Sequence, residues 1–269
     1  MRSFTVSILG CGWLGKGLAA SLMGNGHRVK GSTTTANKAE SLSLLGIEPY
    51  LIAFSAGNLP AYDPAFFDCD VFIVAFNVGL QRRPDYLTEV GKLIQLLQLH
   101  AVRKVFYISS ISVYGNPNLE VNERTAPDPQ TISAGLLHEA ENLLLAQKQL
   151  DVTVVRFGGL IGPGRMPGRF LSGKKDIPDG LSPVNLIHLE DCTGLLLTLI
   201  ETGQEAKILN AVAPHHPTKR DFYTPAARNE GLPAPEFVAE KKSWKIVSSR
   251  YTDGFYKYRI NNLISWLEQ

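Results

Sequence analysis

Thr5-Val6-Ser7-Ile8-Leu9-Gly10-Cys11-Gly12-Trp13-Leu14-Gly15-Lys16 is the stretch that decides the fold. A short, largely apolar run ending in glycine reads as a buried strand, and Lys16 to Met23 reads as a helix, so strand, glycine turn and helix follow directly. Gly10 can take the angles of a tight turn, Gly12 leaves space beside the main chain, and Gly15 lets helix and strand lie close. The helix then points its first N–H groups at an anion. Together these features describe a cradle for the pyrophosphate of a dinucleotide. A glycine-rich turn that binds nothing is the competing reading of the same residues.

Working outward, 269 residues suffice for one large domain or a core domain with an appendage. A formal charge of +2, with 19% charged residues and no long basic run, lacks the footprint of a nucleic-acid binder. Met1-Arg2-Ser3-Phe4 leads straight into the first strand, and no apolar stretch reaches membrane-spanning length. Cys11, Cys69 and Cys192 are odd in number and far apart, which argues against a disulfide framework and a zinc site. His215-His216 has no cysteine or carboxylate partner in its proline-flanked loop, so no metal is expected. The expectation is a cytoplasmic protein with a small-molecule substrate and neither nucleic acid nor membrane as partner.

Apolar runs at Thr5–Leu9, Arg28–Ser32, Pro49–Ala53, Val71–Phe76, Lys104–Ser109 and Val152–Phe157 alternate with helical patterns at Lys16–Gly24, Lys38–Leu45, Arg83–Leu99 and Gly135–Leu150. Such alternation predicts an α/β fold: a doubly wound, mostly parallel sheet with helices on both faces. After Gly158 the chain turns rich in glycine and proline, with helices expected near Glu190–Glu201 and Arg259–Glu268. A nucleotide-binding domain over 1–160 and a smaller substrate region over 161–269, interwoven with the core, follow from this change.

In an open parallel sheet, ligands sit beyond the carboxyl ends of the strands. After the second strand stand Ser32, Thr33, Thr34 and Lys38 where an acidic residue would accept the ribose hydroxyls of NAD; hydroxyls with a nearby cation lean toward NADP. After the fourth come Phe76 and Asn77, where the main chain is expected to lie against the nucleotide. After the fifth comes Ser109-Ser110-Ile111-Ser112-Val113-Tyr114-Gly115, whose hydroxyls either bond a substrate oxygen or satisfy the local backbone.

The glycine turn, this hydroxyl segment, Arg156-Phe157-Gly158-Gly159-Leu160-Ile161-Gly162-Pro163-Gly164-Arg165 and Val184-Asn185-Leu186-Ile187-His188-Leu189-Glu190-Asp191 occur in that order. The chain thereby resembles the extended short-chain dehydrogenase/reductase superfamily, the NAD-dependent epimerase/dehydratases that act largely on nucleotide sugars. The resemblance implies an NAD(P)-binding Rossmann domain with a small C-terminal region over the substrate. It implies a catalytic role for Ser110, substrate contacts at Ser112 and Arg165, a nicotinamide contact near Phe157, and architectural roles for His188 and Asp191. Family members often dimerise through two helices, for which 83–99 and 135–150 are the candidates.

Two departures stand out. The glycine turn is one residue shorter than the family's usual form, which places the chain nearer an atypical branch labelled nucleoside-diphosphate-sugar epimerases. The family's tyrosine and lysine, four apart, fall on Ser133 and Leu137. A serine hydroxyl is far less acidic than a phenol, and leucine carries no charge. Three readings stay open: catalysis with a substitute acid such as Ser133, Tyr114, His138 or Lys174; a different reaction; or a non-catalytic sensor of NADP(H).

Overall fold

β1 (Thr5–Leu9) buries Val6, Ile8 and also Ser7, whose Oγ donates to Phe66 O at 2.6 Å and so costs little when desolvated. It pairs in parallel with β2 (Arg28–Thr33) on one edge and β4 (Val71–Val74) on the other, with Val6 opposite both Val29 and Val71. A strand paired on both edges between helical layers has no solvent face, hence its near-continuous apolar run. β3 (Glu48–Leu51) and β5 (Lys104–Ser110) extend the sheet in parallel, and β7 (Asp151–Phe157) and β10 (Ile208–Ala211) complete the order β10-β7-β5-β4-β1-β2-β3. From β1 the strand order runs one way to β3 and the other way to β10. The crevice at that reversal is where a doubly wound sheet takes its ligand. This is the Rossmann architecture expected from the sequence; the computed structural model describes residues 2–54, 59–76 and 85–268.

α1 (Trp13–Gly24), α2 (Ala36–Ser43) and α4 (Ile132–Leu145) start two or three residues earlier than their periodicity announces, whereas α3 (Tyr86–Leu99) starts after the expected Arg83. α1 begins right after Gly12. α3 and α4 pack on each other; Thr131 Oγ1 caps α4 by accepting from Ala134 N at 3.2 Å. β10 carries Asn210 within a short run, which hid it from the alternation of strands and helices.

Two compact units divide the chain: Met1–Ser109, Pro129–Val155 and Thr193–Ile208 form unit 1; Ser110–Asp128, Arg156–Cys192 and Leu209–Gln269 form unit 2. The division is discontinuous, with each unit drawn from three stretches of the chain. Unit 2 has its own core of Ile161, Val184, Leu186, Ala213, Phe222 and Leu263. Around it lie the parallel pairs β6 (Leu119–Val121) with β11 (Lys245–Val247) and β8 (Gly159–Ile161) with β9 (Leu186–His188). α5 (Gly168–Leu171), α7 (Lys219–Asn229) and α8 (Leu263–Leu267) complete the unit, and α6 (Leu189–Thr202) starts in it. Pro225 inside α7 is what conceals that helix in the sequence. No helix among the described residues is long and apolar enough to cross a membrane.

Candidate nucleotide and substrate sites

Unit 1 holds a cavity of about 710 Å³ at the strand-order reversal. Its floor is the glycine turn. Gly10 has φ +88°, and a Cβ there would lie 3.0 Å from the main chain of Ala75 and Phe76. A Cβ on Gly15 would press on Ile8 at 3.2 Å, so this glycine serves helix–strand contact. Gly12 is different: its nearest neighbour would be Gly10 O at 3.9 Å. Nothing in the packing of the described residues requires a glycine at 12, and Gly12 itself lines the cavity. Gly12 is also the N-cap of α1 and offers no side-chain acceptor, and the first intrahelical bond runs from Lys16 N to Gly12 O at 2.8 Å. The amides of Leu14 and Gly15 therefore precede the helical ladder, as an anion-binding helix start requires.

The wall comes from the end of β2. Ser32 O accepts from Cys11 N at 2.9 Å and Ser32 Oγ accepts from Gly10 N at 2.8 Å, so this buried serine holds the turn in shape. Thr33, Thr34 and the exposed Lys38 line the same cavity, as do Trp13 and Phe76. Ala75, next to Phe76, lines it too, as do Lys16, Leu42 and Cys11, which the sequence does not single out as contacts. Lys16 sits just past the third glycine, and Leu42 lies four residues beyond Lys38 on α2, so helical spacing from the marked residues would have found both. No carboxylate lines this cavity among the described residues. Asn77 lies outside the described residues. Phe157 is a buried residue of unit 2 and does not line this cavity.

In unit 2, Ser110 starts a short 3-10 turn, and its Oγ accepts from Ser112 N at 3.1 Å. A hydroxyl that accepts a main-chain N–H still has its own proton to give. Ser112 is exposed beside it. Tyr114 is otherwise placed than a proton donor needs to be: it is 2% exposed, its hydroxyl donates to Asn210 Oδ1 at 3.1 Å, and it accepts from Arg156 Nη1 at 2.8 Å. Arg156 is itself 2% exposed and stacks over the Tyr114 ring at 4.9 Å. Burial raises the phenol's pKa above its usual range, which further removes it from acid chemistry. Tyr114 is therefore a partner for a buried guanidinium.

On α4 in unit 1, Ser133 is half-buried in the first turn and Leu137 is 5% exposed. His138 Nδ1 stands 3.6 Å from Glu141 Oε2, and that buried carboxylate accepts from Ser109 Oγ at 2.5 Å. Ser110 and Ser133 fall in different units.

Protein YeeZ of Escherichia coli strain K12 is 37% identical to this chain over 236 residues, 86% of each. The chain belongs to the YeeZ family. A functionally unknown conserved protein from Silicibacter pomeroyi DSS superposes with a TM-score of 0.79 at 24% identity, over 99% of this chain and 97% of that one. A UDP-glucuronic acid 4-epimerase from Bacillus cereus, solved in complex with NAD, superposes with a TM-score of 0.77 at 17% identity, over 98% and 96%. The resemblance to the epimerase/dehydratases holds at the level of the fold. No protein-family model matches the chain.

In this YeeZ-family chain, Asp191 is fully buried, and its carboxylate accepts from Tyr256 Oη, Arg259 N and Ile260 N at 2.7–3.0 Å. It lies in the first turn of α6 yet clasps the C-terminal segment. His188 Nδ1 accepts from Glu190 N, and its ring lies against Trp266. Arg165 donates from Nε to Leu160 O at 2.9 Å in an exposed loop. His215 Nδ1 accepts from Leu263 N, and His216 Nδ1 lies 3.0 Å from Val184 O.

Proposed function

We propose that this chain is an NAD(P)-dependent enzyme of the epimerase/dehydratase kind, in which unit 1 holds the dinucleotide and unit 2 the substrate, a nucleotide sugar or another polar alcohol or ketone. The observation that carries it is Gly12, a glycine that the packing of the described residues does not need, lining an open cavity at a helix start without a side-chain cap. Gly10, Gly12 and the amides of Leu14 and Gly15 fit a pyrophosphate, and a cavity of about 710 Å³ suits a ligand of dinucleotide class. Lys16, Lys38, Thr33 and Thr34, with no carboxylate among the described lining residues, favour NADP over NAD. When bound, the nicotinamide supplies hydride exchange.

Ser110 donates a hydrogen bond from its hydroxyl to the reacting oxygen of the substrate and so stabilises negative charge there, without giving up the proton. Ser112 and Arg165, both exposed in unit 2, are the further substrate contacts of this reading. Ser133 is the residue of α4 that stands in the tyrosine's place, without a lysine to make it more acidic. A second reading rests on that pair: with Leu137 buried and uncharged, the chain binds NADP(H) and reports its redox state without turnover. Fluorescence titration with NADPH and NADH, followed by a turnover screen on sugar nucleotides and small carbonyls, separates the two. Tight binding with cofactor oxidation or epimerised product supports the enzyme, tight binding alone supports the sensor, and no binding of either cofactor refutes both.

A further inference from the structure

Unit 2 contains a lysine with no carboxylate partner among the described residues. Lys245 opens β11, which pairs with β6 through Lys245↔Leu119 and Val247↔Val121. The flanking chain is pinned at several points. Asn185 Nδ2 donates to Lys245 O at 2.9 Å, and Asn185 Oδ1 accepts from Val247 N at 2.8 Å. Trp244 N donates to Asn118 Oδ1 at 2.9 Å, and Asn118 N donates to Trp244 O at 3.0 Å. Asp179 Oδ1 accepts from Lys242 N and Ser243 N.

The half-buried side chain ends in one polar contact among the described residues, Nζ donating to Tyr114 O at 2.6 Å, and no carboxylate forms an ion pair with it. An ammonium has three donors, so two directions are left. Three other cations of the unit have carboxylate partners: Lys175 with Glu236, Arg169 with Glu230 and Lys242 with Glu240. Taking a cation partly out of water without a counter-charge disfavours the folded state, and burial lowers the Lys245 pKa to about 8. A fixed, partly desolvated ammonium lacking an anion is the arrangement found where the anion arrives with a ligand. The carbonyl that orients it belongs to Tyr114, at the end of the same short segment that begins with Ser110.

We propose that Lys245 is a substrate-binding residue of unit 2, its ammonium receiving a phosphate or carboxylate oxygen of the substrate. The inference rests on the reading of unit 2 as the substrate side. It is tested on the full chain as parent, Lys245→Met and Lys245→Arg, titrated calorimetrically with UDP-glucose, UDP-glucuronic acid, free glucuronate and inorganic pyrophosphate, with and without saturating NADPH.

The expected result is that the parent binds at least one probe, that Lys245→Met weakens it at least tenfold, that Lys245→Arg keeps it within threefold, and that all three bind NADPH equally. A loss shared by UDP-glucose and pyrophosphate assigns a phosphate oxygen. A loss confined to the two glucuronate compounds assigns a carboxylate. Thermal melting supplies the second readout: Lys245→Met should melt at or above the parent, since an unpaired, partly buried charge is gone. Equal probe affinities in parent and Lys245→Met, no binding of any probe to the parent, or an unfolded or destabilised Lys245→Met overturns the proposal. Failure of NADPH to bind the parent strikes the nucleotide reading instead, and the titrations without NADPH still decide Lys245.

Discussion

Gly12→Val separates a nucleotide cradle from an ordinary turn. The backbone there has φ −85°, and an added Cβ meets only Gly10 O at 3.9 Å, so the fold has room for a side chain. Replacing a glycine N-cap costs about 0.5 kcal/mol, a change in Tm of about 2 °C for a chain of this size. Binding should respond far more. The valine branches stand where the phosphates would meet the amides at the start of α1, and hydrogen bonds to charged groups contribute about 1.5–3 kcal/mol each. Loss of two of them is about 3 kcal/mol or more, at least a hundredfold in affinity. Gly10→Val is the contrasting variant: its φ of +88° and the 3.0 Å approach to Ala75 and Phe76 should cost the fold itself. The assay is calorimetry with NADPH and NADH beside thermal melts. A Gly12→Val protein with parental Tm and parental affinity for both nucleotides would refute the cradle.

Lys38→Glu places a carboxylate in the same cavity, and NADPH affinity should fall about tenfold or more while NADH affinity holds, a difference read by fluorescence titration. Tyr114→Phe removes the hydroxyl that joins Arg156 to Asn210 and should lower stability by about 1–3 kcal/mol in urea unfolding, with NADPH affinity unchanged. Ser110→Ala should depress any turnover and spare the cofactor; equal rates in variant and parent would remove Ser110 from the site. Burial raises the Cys11 thiol to about 11, so the folded protein keeps it protonated where an unfolded cysteine ionises near pH 9. Stability owed to that thiol is whole below about pH 9 and declines toward pH 11. At pH 8, iodoacetamide should alkylate Cys11 much more slowly in the native chain than in urea, as mass spectrometry would show; equal rates would contradict the burial.

The parallel sheet was legible because its strands are covered on both faces, and a fully buried strand must be written as a short apolar run, as β1 and β5 are. Its strand-to-helix turn was legible because Gly10 takes a positive φ and Gly15 lets the helix lie against the strand, requirements that a larger side chain meets poorly. The segments of unit 2 were not, because β6, β8, β9 and β11 are three-residue strands whose partners come from distant parts of the chain and leave no period behind.

The same distinction holds for individual residues. The order of residues from Thr5 to Gly15 announced by itself a strand, a glycine turn and a helix, while Ser32, Ala75 and Phe76 complete the contacts of that turn from elsewhere in the chain. Which phenol is spent on a buried arginine, and which lysine has no carboxylate partner among the described residues, were decided by contacts between residues far apart: Tyr114 with Arg156 and Asn210, and Lys245 with Tyr114. Desolvation and hydrogen-bond partners are properties of the packed molecule, and they set the chemistry of a side chain that the sequence can only name.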